Sequence, residues 1–367
     1  MNESQAISAP SGASGAQRMP FLFTGTTREY FGIWIVNVLL TIVTLGVYSA
    51  WATVRRHRYF HGNTSLAGSS FDYHGRPVRI LIGRILVLSM LIVYNLLLQF
   101  YPIGGGIVGV IFLFAIPWLL MHGLRFRARV TSYRTVRFDF TGGYWGAFQA
   151  YILGWALIYG SAGILAPLAS QWMWNYSLGH LRYGGRPIAC DPRLEKLYGQ
   201  WWLPVFVFAG GLFLVLIVGV VLAFLFSNRF VDLVADKPDD YTIYLILGAV
   251  YAAFIPIALV YMIAGLLYRA GSRNVAFNET VIDGRHMLYS RIGRWRYAWI
   301  SASNVMATIF SLGLARPWAA IRMARYLATV TALDTTGDLD AYFSMLKNEG
   351  AALGSEYLDV EGIDIGF

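Results

Sequence analysis

The sequence predicts a mainly α-helical, polytopic membrane protein in which broken or re-entrant helices are joined by short cytoplasmic β-strands. Three observations predict it. The 367 residues are 57% hydrophobic and 13% charged, with a mean hydropathy of +0.52, where a soluble chain carries about a quarter charged residues. The apolar residues gather in five long regions. Lys and Arg flank those regions almost entirely at one set of ends.

The apolar regions run at about 30–54, 80–122, 145–174, 201–268 and 297–321. A spanning helix takes about 20 apolar residues. The second region holds two such helices around a glycine turn at Gly104-Gly105-Gly106, and the fourth holds two around the polar loop 227–240. The other three are long enough for one crossing but not two, and each carries a breaker late in its run: Gly46, Pro167 and Gly313.

Charge orients them. Arg229 and Lys237 are the only cations in a loop placed outside, and the breakers and the 101–106 turn carry no charge. Because Lys and Arg collect in cytoplasmic loops, each region leaves and returns on the cytoplasmic side, with both termini there. The three shorter regions then dip and return, or run a second helix along the interface. The rival reading gives each a single crossing, seven spans in all, and puts Arg55, Arg56 and Arg58 outside.

The expected organisation is a disordered, Ser/Gly/Pro-rich cytoplasmic tail at 1–20, one membrane domain at 21–345 and an acidic tail at 346–367. Between the apolar regions, Phe21–Gly25, Phe71–Gly75 and Phe138–Gly142 read aromatic-x-aromatic-x-Gly, and residues 286–289 fit more loosely. Period-two alternation is that of a half-buried strand, so a small cytoplasmic β-structure is expected.

Residues 37–59 match residues 304–326 without a gap, as N-x3-T-I-x-[ST]-L-G-x4-W-A-x2-R-x2-R-Y. We read this as an internal repeat. Leu-Gly breaks a helix at depth. Trp51 and Trp318 then stand where interfacial indoles belong. Arg55, Arg58, Arg322 and Arg325 follow on the same helical faces and could hold lipid phosphate through their forked guanidinium groups; a plain membrane-anchor belt is the duller account. Asn37, Asn304, Thr41 and Thr308 lie within the apolar helices, as glue between helices or as the lining of a path.

Phe23, Gly25, Tyr30, Phe31, Val36, Asn37, Leu39, Leu40, Thr41, Thr44, Leu45, Gly46, Tyr48, Trp51, Ala52, Arg58, Tyr59 and Asn63 form a pattern that closely resembles the start of the YjgN family. Gly123-Leu124-Arg125-Phe126, Thr131-Ser132, Val136-Arg137-Phe138, Phe140 and Asp338-Leu339-Asp340 extend the likeness over nearly the whole chain. The family's Pro before Trp-Ala is Ala50 in the first copy and Pro317 in the second. The resemblance implies a bacterial inner-membrane protein and supplies no activity.

Much chemistry is absent. There is no G-x4-G-K-[ST] loop, no H-E-x-x-H and no G-x-S-x-G, so no cofactor or metal is expected and no enzyme activity can be read. His57 and His61 have metal-ligand spacing but sit among Arg55, Arg56 and Arg58, a poor setting for a cation. Cys190 stands alone. No Asp or Glu lies inside a span, which weighs against proton-coupled carriage. Arg84, just inside a span, is expected to snorkel to the interface. The net charge of +9 reflects the positive-inside bias rather than nucleic-acid binding. Two functions remain: a transporter or facilitator for a small or lipid-like anionic molecule, and a non-catalytic lipid-binding or membrane-organising scaffold. The expected partners are membrane lipids, anionic ones included.

Overall fold

The computed structural model describes residues 16–225, 240–337 and 344–345. The loop with Arg229 and Lys237, the Asp338-Leu339-Asp340 match and the acidic tail at 346–367 lie outside the described residues.

Among the described residues, ten strands form the centre of the fold: β1 (Ala16–Phe23), β2 (Thr64–Leu66), β3 (Ser69–Tyr73), β4 (Thr131–Tyr133), β5 (Val136–Phe140), β6 (Leu181–Tyr183), β7 (Arg186–Cys190), β8 (Thr280–Ile282), β9 (His286–Ser290) and β10 (Thr331–Thr336). Each pairs antiparallel with its sequence neighbours, and β1 joins β10 to β2, so the sheet closes into a barrel. The expected fold, mainly α with short strands lying between helices, is thereby overturned. The pieces are short, but closure gives each a partner on both sides and removes every edge. β1 begins at Ala16, so residues 16–20 of the expected tail are barrel strand, and Arg18 pairs with Asp334 at 2.7 Å across the seam.

The strand alternation points Leu66, Tyr133, Val136, Tyr183, Ile188 and Leu333 inward as one buried cluster. Tyr183 Oη donates to Tyr133 O at 2.9 Å, which satisfies a polar tip within that interior. The barrel is packed with side chains and is not a pore. The glycine that closes the aromatic-x-aromatic-x-Gly pieces lies under the second ring: an added Cβ would come 2.7 Å from Phe23 at Gly25, and 2.5 Å from Tyr73 at Gly75 and from Phe140 at Gly142.

Connections alternate. At one end, residue pairs with positive φ join β2 to β3 (Ala67, Gly68), β4 to β5 (Arg134, Thr135), β6 to β7 (Gly184, Gly185) and β8 to β9 (Asp283, Gly284). Consecutive positive φ is the mark of the type I′ turn, whose twist suits a tight hairpin. All five helical connections therefore leave from the opposite mouth. They are α1 (Thr27–Val43) with α2 (Ser49–Gly62); α3 (Pro77–Phe100) with α4 (Pro102–Arg129); α5 (Tyr144–Ala147), a π-helical turn (Phe148–Leu153) and α6 (Gly154–Gly160) with α7 (Ala166–Gly179); α8 (Leu194–Leu225) with α9 (Asp240–Asn278); and α10 (Arg294–Phe310) with α11 (Arg316–Thr329).

Among the described residues, four helices are long and apolar enough to cross a membrane: α3, α4, and the parts of α8 and α9 at Leu194–Leu222 and Phe254–Asn278. At 1.5 Å per residue, α3 reaches about 36 Å and α1 only about 25 Å, against roughly 30 Å of hydrocarbon. The three shorter hairpins cannot cross twice. Their tips are nonetheless apolar and bare, with Leu45 95% and Leu312 94% exposed.

Two turns differ from expectation. The second hairpin turns at Tyr101, and Gly104, Gly105 and Gly106 begin α4; Gly105 lies so close to Leu98 that a Cβ would sit 2.7 Å from its Cα. The third turns at Ala162 (φ 49°) and Gly163 (φ 86°), and Pro167 opens α7 instead of breaking a helix. A missing N–H costs nothing in a first turn. Cys190 is buried, and that burial pushes its thiol up to about 11.

Candidate functional site

The mouth where the hairpins leave the barrel is locked by two sets of side chains. In each short hairpin a tyrosine near the end of the returning helix reaches back 33 residues to the root of the outgoing one. Tyr59 Oη accepts from Thr26 N at 2.9 Å, Tyr176 Oη donates to Gly143 O at 2.9 Å, and Tyr326 Oη accepts from Gly293 N at 3.0 Å.

The second set ties each hairpin to the next. Arg125 donates to the carbonyls of Phe140 and Gly142, Gln171 to Pro192 O, and Asn274 to Ile292 O. Arg325 donates to Gly25 O at 3.2 Å and closes the ring from the last hairpin to the first. Between the first two hairpins, Arg84 donates to Ser49 Oγ at 2.5 Å and Thr53 Oγ1 at 2.8 Å. Its partners are on the neighbouring hairpin.

Beside this ring, a cleft of about 410 Å³ opens between α10, α11 and the start of α1. Its lining includes Arg296, Arg322 and Arg325, with Trp299 and Trp318, and holds no Asp or Glu. Trp318, Arg322 and Arg325 fall at i, i+4 and i+7, on one face of α11. Arg322 stacks on Trp318, its guanidinium carbon 5.0 Å from the ring centroid, and donates to Ser303 Oγ at 2.7 Å and Asn304 Oδ1 at 3.1 Å. Arg296 lies 5.4 Å from the Tyr326 ring centroid. A set of guanidinium groups without carboxylates, held beside indoles, suits a phosphate or carboxylate.

The other expected site residues do not line this cleft, although Asn304 stands behind it as a partner of Arg322. Asn304 Nδ2 donates to Ala319 O at 3.0 Å, so Asn304 fastens α10 to α11. Asn37 is buried, and its Oδ1 has no hydrogen-bond partner among the described residues. Thr41 and Thr308 return their hydroxyl protons to the carbonyls of Asn37 and Asn304, the usual back-bond of a helical threonine. Gly46 and Gly313, both at φ 93°, form the tips. On α2, Trp51 stacks on Tyr48, Arg55 donates to Tyr48 Oη at 3.2 Å, and Arg58 is exposed. The structure therefore gathers Trp318, Arg322 and Arg325 and leaves Trp51, Arg55 and Arg58 on a different flank.

The model of a family described as "Bacterial protein of unknown function (DUF898)" matches residues 18–360. The chain belongs to the DUF898 family. Within the chain, 148 residues are 34% identical to the inner membrane protein YjgN of Escherichia coli K12, covering 36% of this chain and 35% of that protein. A stretch of 120 residues is 37% identical to the YjgN protein of Salmonella typhimurium, covering 32% of this chain and 30% of the relative. The match thus spans about a third of each curated relative's length. No solved structure matches the chain.

For this DUF898 chain, sequence reasoning missed Arg296, Trp299 and Thr27 in the cleft, and the ring residues Arg125, Gln171 and Asn274. Arg296 and Trp299 had a signal, since they stand in the first two turns of α10 as Trp318 and Arg322 do in α11. The ring contacts had none, because they join residues from different hairpins.

Proposed function

We propose that this chain is a bacterial inner-membrane protein, barrel and termini on the cytoplasmic side, which binds anionic lipid headgroups in the α10–α11–α1 cleft and acts as a membrane organiser without turnover. The observation that carries the reading is the cleft itself: three arginines and two tryptophans without an acidic neighbour, a few helical turns from the bare apolar tip at Leu312. That is the depth at which phosphates and interfacial indoles meet. Arg316, exposed at the start of α11, keeps the tip from going deeper. The names of the relatives support the membrane, and the up-and-down barrel supports a shared side for all five hairpin roots.

On this reading the match of residues 37–59 with 304–326 is a duplication whose two products meet at the barrel seam, and the cleft lies between the hairpins that carry them, with Thr27 from the first and α11 from the last. Transport of an anion has less to stand on. The barrel interior is filled, and the orphaned atom of Asn37 is an acceptor, which repels an anion.

The test is the lipid that stays with the protein. Purified from native membranes in mild detergent, it should retain anionic phospholipid. Arg296→Gln with Arg322→Gln should reduce that retention several-fold, while Arg322→Lys should preserve part of it. Equal retention in the double variant would overturn the assignment.

A further inference from the structure

A second cavity, of about 490 Å³, lies at the mouth on the β1–β6 side of the packed barrel, where Phe21, Phe71 and Phe138 of β1, β3 and β5 meet the last turns of α2, α4 and α7. Its walls are apolar: Phe21, Phe71 and Phe138 from three successive odd strands, with Leu124 from α4. No Asp or Glu lines it. One cation does. The guanidinium of Arg127, exposed in the last turn of α4, makes no hydrogen bond or ion pair among the described residues. The cavity is built at the mouth from which α3 and α4, long and apolar enough to cross a membrane, leave the barrel. The volume falls within the range of small-molecule sites, which are mostly apolar with one or two polar groups that fix orientation.

We infer that this cavity binds a single acyl chain carrying an anionic head, the chain lying against Phe21, Phe71 and Phe138 and the carboxylate or phosphate meeting Arg127. An uncharged hydrocarbon would cover the aromatic wall and leave the exposed Arg127 guanidinium without an anionic partner. A small hydrophilic anion would leave the aromatic wall wet. An amphiphile answers both. Close by, His57 stacks on Tyr73 at 4.8 Å, and its burial, with His61, Arg56 and Arg127 beside it, pushes it down to about 4, so it is neutral at ordinary pH. The site is independent of the α10–α11–α1 cleft and shares no residue with it.

The experiment uses the whole chain in detergent and a dansyl-labelled undecanoic acid, whose emission rises on entering an apolar site, with its methyl ester as the uncharged control. The protein should bind the acid at least tenfold more tightly than the ester. Arg127→Gln should abolish that preference and leave ester binding unchanged. Ser177→Phe, which places a ring in the cavity, should lower binding of both. Displacement by oleate points to a free fatty acid, and displacement by lysophosphatidylglycerol alone points to a phospholipid headgroup; displacement by neither overturns the site. So does an Arg127→Gln variant that keeps its preference for the acid. Arg296→Gln with Arg322→Gln should leave probe binding untouched, so failure of the headgroup cleft and failure of this cavity read out separately.

Discussion

Tyr326 Oη accepts a hydrogen bond from Gly293 N at 3.0 Å and donates one to Gly293 O at 3.2 Å, so a single hydroxyl closes the root of the α10–α11 hairpin in both directions. Tyr59 does the same with Thr26, at 2.9 and 3.0 Å. Both backbone groups lie at a helix start, where the N–H has no partner within the helix.

Tyr326→Phe should keep the ring packed and remove only the hydroxyl. Tyr326 is buried, so the loss should be about 1–2 kcal/mol, the cost of leaving buried polar groups unpaired. Thermal denaturation in detergent measures it, and an unchanged midpoint would mean that water takes over the hydroxyl's role.

Arg325 closes the ring of hairpins through Gly25 O. Arg325→Gln should speed proteolysis at the seam between β1 and β10 and leave lipid retention largely intact, because Arg296 and Arg322 remain in the cleft. Limited proteolysis combined with lipid analysis separates the two. A variant that loses lipid but not seam protection would reverse the assigned roles.

Gly313 turns its hairpin at φ 93°, a region that costs a residue with a Cβ roughly 1 kcal/mol or more. Gly313→Ala should destabilise. Gly62 lacks a positive φ and has open space where a Cβ would go, so Gly62→Ala should be neutral or slightly stabilising. Equal effects at the two positions would dissociate the cost from backbone conformation.

The pH dependence follows from His57. Its folded value, about 4, lies below the ordinary 6.5. Between those values the unfolded chain binds the proton and the folded one does not, so stability falls as pH drops from about 6.5 towards 4. Allowing for its partial exposure, the loss is on the order of 1 kcal/mol. His57→Gln should flatten that part of a stability-against-pH curve, and a curve unchanged by the substitution would exclude His57 as the source.

Residue-level detail shows why reading the sequence reached some of this and not the rest. Gly46 and Gly313 were visible because Leu-Gly interrupts an apolar run at both positions. Gly163 was hidden behind Pro167, which is the stronger sequence punctuation but sits harmlessly in a first helical turn. The hairpin turns at Gly184-Gly185 and Asp283-Gly284 carried a usable signal, yet the strands around them are three and five residues long, too short for periodicity to declare.

What the sequence determined alone was the medium and the spacing. Apolar runs of fixed length require hydrocarbon, the cations mark where each run ends, and the aromatic-x-aromatic-x-Gly pieces mark strands. Those properties are local, set by a residue and its near neighbours along the chain. What the tertiary structure decided was closure: that the strands share one barrel, that all five hairpins leave by one mouth, and that Arg325 meets Gly25 while Arg322 meets Asn304. These depend on pairings between residues as far apart as Ala16 and Thr336, and no local pattern of hydropathy or charge encodes which distant partner a short strand or a free guanidinium will find.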